Sequence, residues 1–397
     1  MRIHNTAART LAWVACVLCV SGCGLSSTYV RPASEPAPAP APAPDAIDFT
    51  LILIGDTGKP RLDGPEPVFD VLQSLAAAAP ERTMVVFLGD NIYPDGLPPA
   101  DHEDRERAEK VLRVQVETVQ RSGARAVFVP GNHDYHGGGQ AAVQRQERFF
   151  VELGEPRVEF LPRGGCPGPE VVDLGSSLRL IILDTEYWID ELFAQIPSAC
   201  PLANEEDVLA SVREALESKG ERHAVVVGHH PLETKGWHGG NFDWRDHLFP
   251  LSRMSRWLWI PLPVVGSLYP VYRMQGGYPG DVSSTQYKHM VRVLAETYAP
   301  SPPLIHAGGH DHNLQVFAGP PSTPHILVSG SGTVARPDPV WYGEDTRLAS
   351  PFAGFMRVDA LRDGRVRLEV IEVDEEGGVR RPWSTWLTYS DERSSRR

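Results

Sequence analysis

Long hydrophobic runs are scarce in this chain of 397 residues. The two strongest are 11–20 (LAWVACVLCV) and 257–272 (WLWIPLPVVGSLYPVY). The first is too short to span a bilayer. The second contains Pro261, Pro263 and Pro270, which exclude an ordinary transmembrane helix. Cysteine is also sparse, at five residues, which excludes a disulfide-dense scaffold. Positive charge is in deficit, with Lys+Arg at 38 against Asp+Glu at 51 and a net charge of −13. Such a body repels a nucleic-acid backbone, so no nucleic acid is expected as a partner. No internal repeat is visible.

What is present is a globular chain with a sizeable core. Apolar residues make up 42%, and the length suits one large domain or two ordinary ones. Residues 32–45 (PASEPAPAPAPAPD) form a Pro/Ala tract. Alternating proline favours polyproline II and reads as a semi-rigid spacer. From residue 48 a strand, loop and helix pattern repeats. Apolar runs at 49–54, 84–88, 126–129, 178–183, 224–227 and 304–307 each end at Gly, Asp or, after 126–129, Pro130-Gly131, as buried sheet strands do. Helical faces lie between them: Ala108, Leu112, Val116 and Val119; Val208, Val212 and Leu216 behind an Asn204 cap; Tyr287, Val291, Leu294 and Tyr298. Residues 355–358 and 366–373 alternate around Asp363-Gly364 and predict a closing hairpin. The periodicity therefore predicts an α/β fold. One domain is expected over 48–385, with an insertion at about 240–285 and a disordered tail at 386–397.

The first residues read as an export signal, with Arg2 and Arg9 before the apolar run 11–20. Val20-Ser21-Gly22-Cys23 resembles the lipobox of bacterial lipoproteins. That resemblance implies removal of residues 1–22 and acylation of Cys23, ahead of a 23–47 linker. Gly24 follows with no Asp retention signal, so the expected location is the outer membrane or the periplasmic face. Cys16 and Cys19 leave with the signal. Cys166 and Cys200 remain, an even pair in an oxidising compartment, and read as a structural disulfide.

Polar residues gather where the predicted strands end: Asp56, Asp90, Tyr93, Asn132, His133, His229, His310 and His312. Ligand sites of α/β sheets lie at the carboxyl ends of strands. Carboxylates, imidazoles and an amide are ligand types for hard or borderline cations, and buried unpaired they would be costly.

At these residues the chain resembles the calcineurin-like metallophosphoesterases. Gly55-Asp56-Thr57-Gly58, Gly89-Asp90-Asn91-Ile92-Tyr93, Gly131-Asn132-His133-Asp134, Gly228-His229-His230-Pro231 and Gly309-His310-Asp311-His312 stand in that superfamily's order. Gly58, where most members have a histidine, and Tyr93, three residues after Asp90, are similar to purple acid phosphatases. Residues 309–315 (GHDHNLQ) resemble the compact, tartrate-resistant type. The resemblance implies a four-layer αββα sandwich, with two central mixed sheets flanked by helices. It implies that Asp56, Tyr93 and His312 hold Fe(III), and that Asn132, His229 and His310 hold a second ion, Fe, Zn or Mn, with Asp90 shared. The implied reaction is hydrolysis of a small phosphate monoester by metal-bound hydroxide attacking in line, with His133 and His238 as catalytic residues. A phosphodiesterase or nucleotide hydrolase, and a phosphate-binding surface lipoprotein without turnover, are the rival readings. No obligate protein partner is expected.

Other residues carry less. His230 reads as support for its neighbour. Asp134 and Asp311 read either as acceptors for ligand imidazoles or as turn residues. Residues 329–332 (SGSG) read as a tight loop or as amides lining the site. His136, His223, His247, His289, His306 and His325 read as ordinary surface or packing residues. The 257–272 run, flanked by Arg253, Arg256 and Arg273, reads as an insertion packed over the core, or as an apolar wall beside the cleft that touches a membrane.

Overall fold

The computed structural model describes residues 23–32, 38–253, 257–335 and 337–389. The signal expected at 1–22, and the tail beyond residue 389, lie outside them. Two sheets carry the fold. The first holds, in spatial order, β1 (Tyr29–Val30), β12 (Thr346–Ser350), β10 (Leu314–Ala318), β11 (His325–Ser329), β9 (Ile305–Gly308), β8 (His223–Val227), β7 (Leu178–Ile182) and β6 (Glu170–Leu174). The second holds β15 (Val379–Leu387), β14 (Val366–Val373), β13 (Gly354–Leu361), β2 (Ile47–Ile54), β3 (Thr83–Phe87), β4 (Arg125–Phe128) and β5 (Val158–Phe160).

Both sheets are mixed. β2 through β5 are parallel to one another, whereas β13 through β15 pair antiparallel. Strand alternation sends one set of side chains to each face. Leu51 and Leu53 of β2 meet Val225 and Val227 of β8 between the sheets. Ile52 and Ile54 point outward, into a layer with helices Pro67–Ala77, Arg105–Ser122 and Gln140–Leu153. Ala224 and Val226 point the other way, toward helices Glu205–Glu217 and Thr285–Tyr298. The result is helix, sheet, sheet, helix, as the resemblance implied. Each fully buried Val or Leu of these layers contributes about 1.5–3 kcal/mol. The helical faces read from the sequence are buried, apart from the partly buried Val291. The Asn204 side chain caps its helix by accepting from the Asp207 amide at 2.9 Å.

The boundaries expected at both ends need correction. Tyr29–Val30 is not spacer but an edge strand paired with β12. Ala39, inside the Pro/Ala tract, is buried. Its amide donates to the Ser384 carbonyl at 3.2 Å, and its carbonyl accepts from Arg367 Nε at 3.1 Å. The reason is the sheet edges: β12 and β15 would otherwise present unpaired backbone groups, and an extended segment satisfies them. The C-terminal strand likewise continues to Leu387, past the expected start of the tail.

β8 and β9 are parallel neighbours joined through helix Thr285–Tyr298. The extra chain before that helix forms short helices, Trp244–Leu248, Pro250–Arg253, Val265–Ser267 and Leu268–Met274. Cys166 and Cys200 are bonded, 34 residues apart in sequence. Cys200→Ser is expected to lower stability by about 3 kcal/mol, read as a lower urea midpoint under oxidising conditions, with a somewhat steeper denaturant slope because the unfolded chain without the crosslink is less compact.

Candidate metal centre

The candidate ligands come from five loops, each following a strand. Asp56 follows β2, Asp90 and Tyr93 follow β3, Asn132 follows β4, His229 follows β8, and His310 and His312 follow β9. All seven are buried. Asp56, Asp90 and His310 have positive φ, at 58°, 54° and 69°. For residues with a Cβ this costs on the order of 1–3 kcal/mol each. Part of the cost is offset by the bond from the His310 amide to Asp56 Oδ2 at 2.9 Å. Glycines flank these turns because nothing larger fits. A Cβ on Gly309 would stand 2.4 Å from Asp56 Oδ2, and one on Gly131 would stand 2.4 Å from Asp90 Oδ1.

The donor atoms fall into two groups that meet at Asp90. In one, the Tyr93 hydroxyl lies 2.9 Å from Asp56 Oδ1, 2.8 Å from Asp90 Oδ2 and 3.1 Å from His312 Nε2. In the other, Asn132 Oδ1 lies 3.0 Å from His229 Nε2 and 3.0 Å from His310 Nδ1. Asp90 Oδ1 stands 3.4 Å from His229 Nε2.

Tautomers follow from the opposite ring nitrogens. His229 Nδ1 lies 2.8 Å from the Leu88 carbonyl, and His310 Nε2 lies 2.7 Å from the Gly280 carbonyl. A carbonyl only accepts, so those nitrogens carry the protons. With both rings neutral, bare lone pairs face each other across 3.2 Å, and both face the Asn132 oxygen; in the ion-free chain burial lowers the basicity of His229, but Asp90 and Asp56 outweigh it and raise it. His312 Nδ1 lies 2.6 Å from Asp338 Oδ2, which leaves Nε2 facing Asp56 and Tyr93. Converging lone pairs in a dry interior repel, and a cation removes the repulsion. The donor set therefore fits two ions, one held by Asp56, Tyr93 and His312, the other by Asn132, His229 and His310, with Asp90 between them.

The charge balance without ions agrees. Burial lowers the basicity of His312, but Asp338 and Asp56 outweigh it and push the ring up to about 10. Burial, with His229 and His133 acting against it, leaves Asp90 well below the usual carboxylate range. Burial and the neighbouring histidines hold His310 far below the usual imidazole range.

A cavity of about 300 Å³ opens over the two groups. Asp90, Asn132, His310 and His312 line its floor, and His133, Trp237, His238, Arg273 and Tyr278 its walls. The His133 amide donates to Asp90 Oδ1 at 2.9 Å, and its Nδ1 meets the Pro94 carbonyl at 2.5 Å. His238 Nδ1 lies 3.0 Å from Asp281 Oδ1, and its ring stacks 3.8 Å from that of His310.

Gly58 has no room for a side chain, since a Cβ there would lie 2.5 Å from the Ile92 amide nitrogen and 2.7 Å from the Asp90 carbonyl. Tyr93 occupies the first group instead. His230 stays outside the donor set. A nitrogen of its ring lies within 4.8 Å of those of His229 and His310, but Nδ1 is bonded to Thr185 at 2.9 Å and Nε2 faces Glu186. Asp134 accepts from the Gly131 and Asn91 amides, and Asp311 from Thr234 and the His238 amide. Both tie loops together rather than orient imidazoles. Gly330 and Gly332 donate to the Asn313 and Gly55 carbonyls, so 329–332 is a tight loop.

Three residues escaped the sequence reading. Asp338 and Asp281 sit in Pro-bounded loops far from any motif. Arg273 was taken as flanking an interfacial run, yet it is buried. Its Nε donates to Asp281 Oδ2 at 2.8 Å, and its Nη2 lies 3.2 Å from His238 Nδ1.

Residues 49–314 match the calcineurin-like phosphoesterase family. The chain belongs to that family. Among curated relatives, purple acid phosphatase 3 of Arabidopsis thaliana is 22% identical over 326 residues, 77% of this chain and 69% of that protein. Purple acid phosphatase 17 of the same plant is 25% identical over 177 residues, 43% and 48% of the two chains. Two solved structures share the fold, each with a TM-score of 0.53. One is GAP50, the anchor in the inner membrane complex of Plasmodium, at 16% identity, covering 87% of this chain and 90% of that one. The other is the purple acid phosphatase of yellow lupin seeds, at 14% identity, covering 86% and 53%. Calcineurin-like phosphoesterases work through a two-metal centre.

Metal uptake in the first group must displace the His312 proton. Because the Tyr93 phenol must give up its proton as well, affinity there is expected to fall by up to about a hundredfold per pH unit on going down from about pH 10, with two protons released per ion in calorimetry across buffers of different ionisation enthalpy. Asp338→Asn, which removes the charge behind His312, is expected to weaken that site by about 10–100-fold and to leave the second site unchanged, as read by equilibrium dialysis with metal analysis.

Proposed function

We propose that this calcineurin-like phosphoesterase hydrolyses small phosphate monoesters in the manner of purple acid phosphatases, with Fe(III) in one site and Fe, Zn or Mn in the other. The observation that carries this reading is the pair of donor groups sharing Asp90, one of them built on a tyrosine oxygen. The Tyr93 group holds three potential anions, Asp56, Asp90 and the phenolate, which suits a hard trivalent ion. The Asn132 group adds only neutral donors to Asp90, which suits a divalent one. When bound, the two ions would polarise the phosphoryl oxygens and lower the pKa of bound water.

The chain's own residues supply the rest. The His133 Nδ1 proton is committed to the Pro94 carbonyl, which leaves Nε2 to carry and deliver a proton. It is proposed as the general acid toward the leaving oxygen. His238, held through Nδ1 by Asp281, and Arg273, held by the same carboxylate, are proposed to face the equatorial phosphoryl oxygens. The cavity volume of about 300 Å³ suits a small ester. Export and acylation at Cys23 belong to the same proposal, supported by the exposure of that residue.

The test is turnover of p-nitrophenyl phosphate against its bis-ester by protein loaded with iron and a divalent ion. Monoester preference is expected; preference for the bis-ester would move the assignment to a phosphodiesterase. Tyr93→Phe is expected to abolish visible charge-transfer absorption. His133→Ala is expected to lower kcat by about 10²–10⁴-fold with metal content unchanged; a kcat within twofold of wild type would remove His133 from the mechanism.

A further inference from the structure

Between Asp246 and Asp281 the chain carries no carboxylate, although Asp+Glu number 51 in the whole and the net charge is −13. Its charged side chains in that stretch are Arg253, Arg256 and Arg273. The stretch also turns apolar groups outward. Trp257 is 78% exposed, Trp259 54% and Leu268 67%. Helix Leu268–Met274 is inside out: Pro270 and Arg273 are buried, whereas Leu268, Tyr272 and Met274 are exposed. Surface helices of a water-bathed domain show the reverse, and an apolar patch of this kind marks an interaction surface.

Position says what covers it. The inner side of that helix, through Tyr269 and Arg273, is a wall of the site cavity. Another wall is Asp338, and the segment that follows it receives the N-terminal stretch. The Leu25 amide donates to the Val340 carbonyl at 2.8 Å, and Tyr29 stacks on Tyr342 at 4.0 Å. Exposed Cys23 stands two residues before Leu25. The apolar ridge and the expected acylation point thus adjoin the rim of one cavity.

We propose that the face bearing the cavity docks on an anionic lipid bilayer, with the 257–274 ridge seated in the headgroup region. Tryptophan and tyrosine, apolar in body and polar at the tip, favour that depth. A strongly acidic protein is repelled by an anionic leaflet, and a stretch without carboxylates is where approach is least opposed. An acyl anchor at Cys23 would hold the same face down. A phosphoester displayed at the membrane surface is then within reach of the cavity. That last clause rests on the proposed hydrolysis; the docking does not.

Vesicle sedimentation tests it. Protein of the expected mature length, residues 23–397 with Cys23→Ser, which carries neither the apolar run 11–20 nor an acyl chain, is mixed with phosphatidylcholine vesicles with and without phosphatidylglycerol. Trp257→Ser/Trp259→Ser/Leu268→Ser in the same background is expected to bind the anionic vesicles at least roughly tenfold more weakly, with its folded state checked by an intact cooperative melting transition above the temperature of the assay. Val151→Ser, at a residue 74% exposed on another helix, is expected to bind like the parent. Equal binding by parent and ridge variant overturns the proposal. So does a parent that dimerises through the ridge and ignores vesicles. Turnover of p-nitrophenyl phosphate without vesicles is measured separately, and its loss bears on the hydrolase assignment alone.

Discussion

Asp90 is the constraint on which the site depends. Its two oxygens face different donor groups, and its backbone sits in a left-handed turn preceded by Gly89 and packed against Gly131. Everything around it is arranged to keep lone pairs bare. Leu88 and Gly280 fix the protons of His229 and His310 on the far nitrogens, and Asp338 does so for His312. An interior built this way is unstable electrostatically until positive charge enters it, and in the ion-free chain a proton on His312 serves as a partial substitute. The fold supplies the geometry by ending β2, β3, β4, β8 and β9 on one side of the two-sheet core.

The cost of that arrangement is distributed. Left-handed backbone at Asp56, Asp90 and His310 is held by the dense packing of the two inner sheet faces and by bonds such as the one from the His310 amide to Asp56. Loops that look idle serve the same end. Asp134 and Asp311 gather amides from neighbouring turns and fix where Asn91 and His238 lie. The second layer is therefore as much about loop position as about ligand basicity.

Much of this was legible in the residues. Continuous apolar runs placed the parallel strands, and the Gly-punctuated polar residues at their ends placed the candidate ligands, because chemistry and chain direction coincide there. β10, β12 and β15 escaped because these antiparallel strands mix polar and apolar residues without a flanking motif. The N-terminal segment was misread because proline content speaks to local conformation, not to which sheet edge an extended chain will cover. Asp338, Asp281 and Arg273 escaped for a related reason: each acts through a partner distant in sequence. Arg273 shows the point most clearly, since composition placed it beside an interfacial run and tertiary packing turned it inward onto Asp281.

Gly58 has a consequence for how freely this centre can change. With the Ile92 amide and the Asp90 carbonyl where a side chain would begin, the position is sealed by backbone. A histidine there cannot arrive by one substitution; the turn carrying Asp90 and Tyr93 would have to be rebuilt with it. The phenol in the Tyr93 group is thus kept in place by a neighbour that has no side chain, and the choice of donor at that point was written into the path of the main chain.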